Sequence, residues 1–331
     1  MVGAEKMKIK KILLKSMAKT YVSGLPSLIA GVLMAAALVF SGSVFADKKE
    51  LRLAALIDDV DAVEKLLDAG TDVNAANKFG RTALMNAAEN GNILTASILI
   101  SRGANVNATS VVGCTALTLA AEMGELEMTA LLLEHGADMK AKTRSGWNAL
   151  IIASRYGLNQ MVEQLIFKKA PLDEIDVKGE NALMYAARHA HAEVVDKLIK
   201  AGINIHKRDL AGKTALMHAA EKGDAQIVDM LIKAGARVNE ASNDGATPLI
   251  WAASRGRDAV IKKLLVAGAH VNAQDKMGLT ALSEAVKARS VASIKLLFDY
   301  GADRTLKDED GYSAEYFGKK ARNEGVRKLF E

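Results

Sequence analysis

From Asp47 to the C-terminus, apolar residues return in short stripes whose spacing is helical. A leucine is followed three residues later by an alanine at Leu84/Ala87, Leu117/Ala120, Leu150/Ala153, Leu183/Ala186, Leu216/Ala219, Leu249/Ala252 and Leu282/Ala285. Residues three apart share one helix face, so each pair predicts a short helix with a single apolar stripe. Alanine in that stripe lets a neighbouring helix approach closely. Further along, paired apolar residues predict a second helix: Leu99-Ile100, Leu132-Leu133, Leu165-Ile166, Leu198-Ile199, Leu231-Ile232 and Leu264-Leu265. Glycine separates the two helices at Gly91, Gly124, Gly157, Gly223 and Gly256. It also ends the second helix at Gly103, Gly136, Gly202, Gly235, Gly268 and Gly301, where a left-handed C-cap suits it. The linking stretches, such as Gly103–Ala108 and Gly268–Ala273, read as extended and turn-like.

The pattern is a strict repeat. GRTALMNAA starts at Gly80, and its counterparts start at Gly113, Gly146, Gly179, Gly212, Gly245 and Gly278, each 33 residues after the last. A degenerate copy, GYSAEYFGK, starts at Gly311, and one step back from Gly80 reaches ADKKELRLAA. Two residues after each glycine stands Thr82, Thr115, Asn148, Asn181, Thr214, Thr247, Thr280 or Ser313, all side chains that cap orphan N–H groups at a helix start. One such unit cannot bury its own apolar faces, so neighbours must stack, with polar caps at both ends. The expected fold class is all-α: a solenoid of stacked helix–turn–helix units with projecting, β-turn-like loops. The expected organisation is an N-terminal cap over 47–79, seven repeats over 80–310 and a C-terminal cap over 311–331.

A helix, turn, helix and projecting turn every 33 residues resembles the ankyrin repeat, and the fit covers residues 47–331. Thr247-Pro248-Leu249 and the linking Val-Asn-Ala ends are the most specific marks. There are departures. The family's Thr-Pro-Leu-His box has alanine for proline in six of seven copies, and its histidine is replaced by Met85, Thr118, Ile151, Met184, Met217, Ile250 and Ser283. The hydrogen bonding that the histidine gives the family is therefore expected to be absent, with methionine and isoleucine packing in its place.

The resemblance implies a partner-binding groove lined by one side of the first helices and by the turns. His218 lies two residues past core Leu216, about 200° around the helix, and is expected to point away from the core. Its slot in the other repeats holds Asn86, Leu119, Ile152, Tyr185, Trp251 and Glu284. Together with the residue after each repeat-starting glycine and the last two of each first helix, the groove in the middle four repeats comprises Trp147, Arg155, Tyr156, Tyr185, Arg188, His189, Lys213, His218, Lys222, Trp251 and Arg255. Acids in these slots are Glu180 and Glu221. A groove rich in Trp, Tyr and Arg resembles an interface hot spot and suits a partner of acidic character. The competing reading is that half-buried aromatics merely cover the ridge between adjacent helices. Within GKTALMHAAEK, Glu221 and Lys222 share a face with His218 and are expected to serve as groove rim, without proton transfer.

Charge and candidate chemistry narrow the function further. The formal charge of +5 comes from residues 1–46, where six lysines face the single acid Glu5; setting that segment aside takes 44 basic and 39 acidic residues to 38 of each. The repeats are therefore neutral overall, and the basic balance does not point to nucleic acid. In the N-terminal segment, Lys6 to Lys19 is followed by SLIAGVLMAAALVF (Ser27 to Phe40) and then Val44-Phe45-Ala46 before Asp47, the pattern of a secretory signal peptide cut after Ala46. The uncharged run from Thr20 to Ala46 is also long enough for an uncleaved membrane anchor. Under either reading the lysines stay inside and the repeats cross, so the expected location is periplasmic or secreted, or membrane-anchored with the repeats on the non-cytoplasmic side. Cys114 is the sole cysteine, which rules out an internal disulfide. His189-Ala190-His191 resembles a metal cluster, but each histidine fits a repeat slot and none has convergent ligands in sequence, so no metal and no cofactor are expected. No nucleophile, base and orienting group recur together, and no phosphate loop follows a strand, so the chain is not expected to be an enzyme. Two function classes remain: a protein-binding scaffold, and a sensor that takes a small ligand or polyanion in the same groove.

Overall fold

The computed structural model describes residues 44–331; the lysine-rich and apolar parts of the expected signal peptide or anchor lie outside the described residues. The described residues form eighteen helices and no strand, with two isolated antiparallel bridges, Gln274 to Thr280 and Lys307 to Ser313. They divide into two compact units: residues up to Tyr156 with 163–171, and residues 157–162 with 172–331. The first unit contains α1 (Val44–Ile57), α2 (Val60–Asp68), α3 (Ala83–Asn90), α4 (Ile93–Ser101), α5 (Ala116–Met123), α6 (Leu126–Glu134) and α7 (Ala149–Tyr156). Helix α8 (Asn159–Phe167) contributes residues to both units. The second contains α9 (Ala182–His189), α10 (Ala192–Lys200), α11 (Ala215–Lys222), α12 (Ala225–Lys233), α13 (Pro248–Ser254), α14 (Asp258–Val266), α15 (Ala281–Lys287), α16 (Val291–Asp299), α17 (Ala314–Lys319) and α18 (Glu324–Arg327).

Within each unit the first helices of successive repeats pack in series: α1 on α3, α3 on α5 and α5 on α7, then α9 on α11, α11 on α13, α13 on α15 and α15 on α17. The second helices form a row of their own in each unit, α2, α4 and α6 in the first and α10, α12, α14, α16 and α18 in the second, each also packed on its own first helix. The leucine–alanine stripe is the reason. None of its fourteen members is more than 1% exposed, and the alanines are fully buried at the helix–helix contacts. Each first helix starts where expected, because all eight capping side chains from Thr82 to Ser313 accept the backbone N–H three residues on.

The slot of the missing box histidine divides in two. Met85, Ile151, Met184, Met217 and Ile250 are buried and fill space, as expected. Thr118 and Ser283 instead return a hydroxyl to the N-cap backbone, accepting from Thr115 N at 2.8 Å and Thr280 N at 2.9 Å. Hydrogen bonding at this slot is therefore absent in five repeats and present in two, because a short hydroxyl side chain completes a capping box that methionine cannot.

Each repeat needs left-handed backbone at three places, and glycine supplies most of them; Asp58, Lys169, Ala190 and Arg289 are the non-glycine residues found there. Lys169, with φ of 62°, stands in the slot of Gly136 and Gly202 and keeps the same helix-closing bond, Ala170 N to Leu165 O at 2.9 Å. A Cβ at Gly136 or Gly202 would meet nothing within 4 Å, so the cost of lysine is conformational rather than steric crowding. Lys169→Gly is expected to raise stability by about 1 kcal/mol. In the unmodified chain, the amides around Lys169 should exchange faster than those around Gly136 and Gly202; equal protection at the three turns would contradict this.

The linking segments project as fingers, and neighbouring fingers are laced by backbone bonds. In the first unit Val111 N donates to Phe79 O at 2.9 Å; in the second, Leu210 N donates to Lys178 O and Asn243 N to Ala211 O, both at 2.9 Å. The asparagine of each Val-Asn-Ala end reaches the next repeat, as where Asn272 donates to Gly301 O at 3.3 Å and accepts from Asp303 N at 2.8 Å.

Candidate partner-binding cleft

The stem of each finger turns around a short polar side chain, Asn77, Asp176, Asp209, Asp275 or Asp308 in five fingers and Ser110, Thr143 or Ser242 in three, and in two repeats of the second unit this side chain also reaches the helix that follows. Asp176 accepts from Lys178 N and Glu180 N with one oxygen and from the Tyr185 hydroxyl, at 2.7 Å, with the other. Asp209 does the same one repeat later: Oδ1 accepts from Ala211 N at 2.9 Å and Lys213 N at 2.8 Å, and Oδ2 lies 3.0 Å from His218 Nε2. The finger is thereby folded down over the second turn of the helix. Tyr185 and His218 are consequently 2% and 3% exposed. This corrects the expectation that both point into an open groove. The helical position is right, but the side of α9 and α11 opposite the core is covered by its own finger.

A second contact, eight residues apart, joins the base of the finger to the end of the first helix. Arg81 pairs with Glu89, Glu180 with Arg188, and Lys213 with Glu221 at 2.9 Å. In the repeat starting at Gly146 the pair is aromatic, with the Arg155 guanidinium 4.5 Å from the Trp147 ring centre and 5.8 Å from that of Tyr156. Lys213 Nζ also lies 3.3 Å from the centre of the Trp251 ring, and Arg255 joins Glu221 at 2.9 Å. Many of the expected groove cations are thus engaged inside the protein.

His218, like Glu180 beside it, is almost fully enclosed. Its Nε2 faces Asp209 and, at 3.7 Å, Glu180, while Nδ1 faces Arg188 Nη2 at 3.4 Å. A ring nitrogen that faces a guanidinium accepts, so the geometry assigns a neutral imidazole with its proton on Nε2, donated to Asp209. Burial pushes the His218 pKa below its ordinary value, the Asp209 hydrogen bond opposes that, and the Arg188 charge adds to the lowering. Burial pushes Asp209 up but is outweighed by its hydrogen bonds from His218 and Lys213 N, leaving it below the usual range. Glu221 is also held low: burial is outweighed by Lys213 and Arg255. His218, Glu221 and Lys222 lie along one cleft, but the polar partners of His218 are Asp209, Glu180 and Arg188 rather than its neighbours on the helix.

A folded-state histidine with a depressed pKa stays neutral while the unfolded chain takes up a proton. Its contribution to stability is complete above the unfolded pKa, near 6.5, and is lost as pH falls from there toward the folded value. His218→Gln, which keeps an N–H donor for Asp209, should therefore flatten the stability decline between about pH 7 and 5. Urea midpoints that fall equally for both proteins in this window would contradict the assignment.

Glu180, Asp209 and His218 each offer a ligand-type atom, all within 4.8 Å of one another. The expectation that no histidine has convergent partners fails here, because the partners come from the preceding finger and the preceding repeat. Arg188, paired with Glu180 and facing Nδ1, already supplies positive charge to this set. The exposed His189 stacks with Tyr185 and with His191 at centroid distances of 6.4 and 6.2 Å. Cys114 is half-buried, and burial pushes its thiol up, away from the reactive thiolate.

The cluster forms one wall of a cleft of about 720 Å³ in the second unit. Five of the eleven expected groove residues line it: Arg188, Lys213, His218, Lys222 and Arg255. Tyr185, His189 and Trp251 belong to the same unit but are not among its lining residues, whereas Trp147, Arg155 and Tyr156 belong to the first unit. Lys178, Asp209, Leu210 and Arg257 also line the cleft and were not expected there. They lie on fingers and at the start of a second helix, outside the slots considered for the groove. The signals available in the sequence were the nine-residue step from Asp176 to Tyr185 that recurs from Asp209 to His218, and the opposite charges eight residues apart.

A family model described as ankyrin repeats matches the chain in three copies, over residues 51–143, 136–209 and 203–275. No curated protein matches the chain. Among the described residues, no helix is long and apolar enough to cross a membrane.

Proposed function

Because the chain belongs to the ankyrin-repeat proteins, whose repeats generally mediate protein–protein contacts and are generally non-catalytic, we propose that it is a binding scaffold that grips an acidic polypeptide at the cleft of its second unit. The observation that carries this reading is the charge of the cleft: Lys178, Arg188, Lys213, Lys222, Arg255 and Arg257 against Glu180, Asp209 and Glu221, with His218 neutral. Such an excess attracts anionic partners at long range and makes their association salt-dependent. Partners captured on the wild-type chain from its native compartment should be acidic, should release as salt rises, and should be lost from a Lys178→Glu/Lys222→Glu variant. Capture that ignores both salt and charge reversal would remove the cleft from the account. The cleft volume also lies within the range of small-ligand sites, which keeps a small polyanion as the second reading. Tight binding of a small anion, with no gain from an extended polypeptide, would favour it.

The lysine-rich start and apolar run before Asp47 support export, with the scaffold acting on the far side of the membrane. Helix α1 begins at Val44, three residues before Asp47, which leaves little linker between the apolar run and the first packed helix and favours cleavage over anchoring. The intact mass of the exported protein should correspond to a chain starting at Asp47. A mass that retains residues 1–46 would establish the anchored form.

A further inference from the structure

Resting on the acidic-partner reading, we propose that the cleft recognises a composite motif: carboxylate side chains next to an apolar one, rather than acidity alone. Three of the lining cations have no carboxylate partner among the described residues. Lys178 and Lys222 are exposed and make no ion pair, and Arg257 spends only its Nε, on the Glu221 carbonyl at 3.2 Å. These are the charges open to a ligand, since Lys213 and Arg255 already hold Glu221 and Arg188 holds Glu180.

Beside them stand two exposed apolar side chains, Val177 at 62% and Leu210 at 73%, on adjacent fingertips joined by the Leu210 N to Lys178 O bond. Both line the cleft. The corresponding tips of the later fingers in the same unit are Asn243, Lys276 and Glu309. Exposed apolar tips occur on other fingers, at Phe79, Val111 and Val112 in the first unit and at Met277 in the second, but among the described residues Val177 and Leu210 are the two that line the cationic cleft, where apolar surface rimmed by open charge suits an interaction site. A ligand carboxylate meeting Lys178, Lys222 and Arg257 would carry its apolar neighbour onto Val177 and Leu210. Charge complementarity selects an acidic segment, and the apolar shoulder selects among acidic segments.

The test is fluorescence anisotropy with the purified full chain and short labelled probes: a peptide repeating Glu-Glu-Leu, one repeating Glu-Glu-Ser, one repeating Lys-Lys-Leu, and a single-stranded oligonucleotide. The Glu-Glu-Leu peptide should bind about ten-fold more tightly than the Glu-Glu-Ser peptide, the worth of one buried leucine. Leu210→Ser should bring that ratio close to one. Lys178→Glu/Lys222→Glu should weaken both acidic peptides by about ten-fold or more, with unaltered melting curves showing that the variants remain folded. Equal affinity of the two acidic peptides, or a ratio insensitive to Leu210→Ser, overturns the composite motif and leaves the acidic-partner reading standing. An oligonucleotide that binds as tightly as the Glu-Glu-Leu peptide overturns it in favour of a general polyanion site. If neither acidic peptide binds better than the basic one, the acidic-partner reading falls as well.

Discussion

Asp209→Ala should destabilise the protein by about 3 kcal/mol, more than its place on a surface finger suggests. The carboxylate accepts from two backbone N–H groups of its own finger and from the buried imidazole of His218. Ala211 N is exposed and can turn to water, but Lys213 N is partly buried and His218 is 3% exposed, so the loss falls on those two donors. Unsatisfied buried donors cost about 1–3 kcal/mol each. Asp209→Asn keeps an acceptor for the finger and turns an amide toward Nε2, so its cost should be smaller and confined to the His218 contact. Urea denaturation should rank wild type above Asn and Asn above Ala. If Asp209→Ala lies within about 0.5 kcal/mol of wild type, the finger is not held down by this side chain.

Leu216→Ala should cost about 3–5 kcal/mol, the largest effect expected for a single core truncation here. Leu216 is 1% exposed on α11, which packs against α9, α12 and α13. The stripe alanines of this helix and its two neighbours, Ala219, Ala186 and Ala252, are small and fully buried, so they cannot extend into the space left behind. Because each repeat touches only its neighbours, the loss should be local. Amide protection should fall in α9, α11 and α13, and much less in α17. A cost below about 1 kcal/mol, or a uniform loss of protection along the second unit, would contradict this account.

The same helix shows what could be read in advance. Leu216, Ala219 and the Thr214 cap follow from rules that act within a few residues, and the 33-residue repetition tests those rules eight times in one chain. His218 was placed on the correct face of α11 by the same geometry, yet its surroundings were misjudged. A helical wheel treats whatever is not core as solvent, whereas here the finger closes over the helix. Glu180 and Arg188 were likewise assigned to the groove as separate charges, and the structure joins them to each other.

Helix starts, the turns that need left-handed backbone, the buried leucine–alanine stripe and hence the repeat architecture all follow from the order of residues along the chain. Each is a local preference, and repetition makes it unambiguous. Lys169 belongs with these, because the 33-residue period sets it in the slot of Gly136 and Gly202. Which charges neutralise one another, which rings are covered and which cations remain open to a partner emerge once the repeats are packed together. Those outcomes depend on side chains from a finger, its helix and the next repeat arriving within about 3 Å of one another. A period describes the spacing of such groups along the chain. It does not describe where long, flexible side chains end once adjacent repeats compete for the same neighbours.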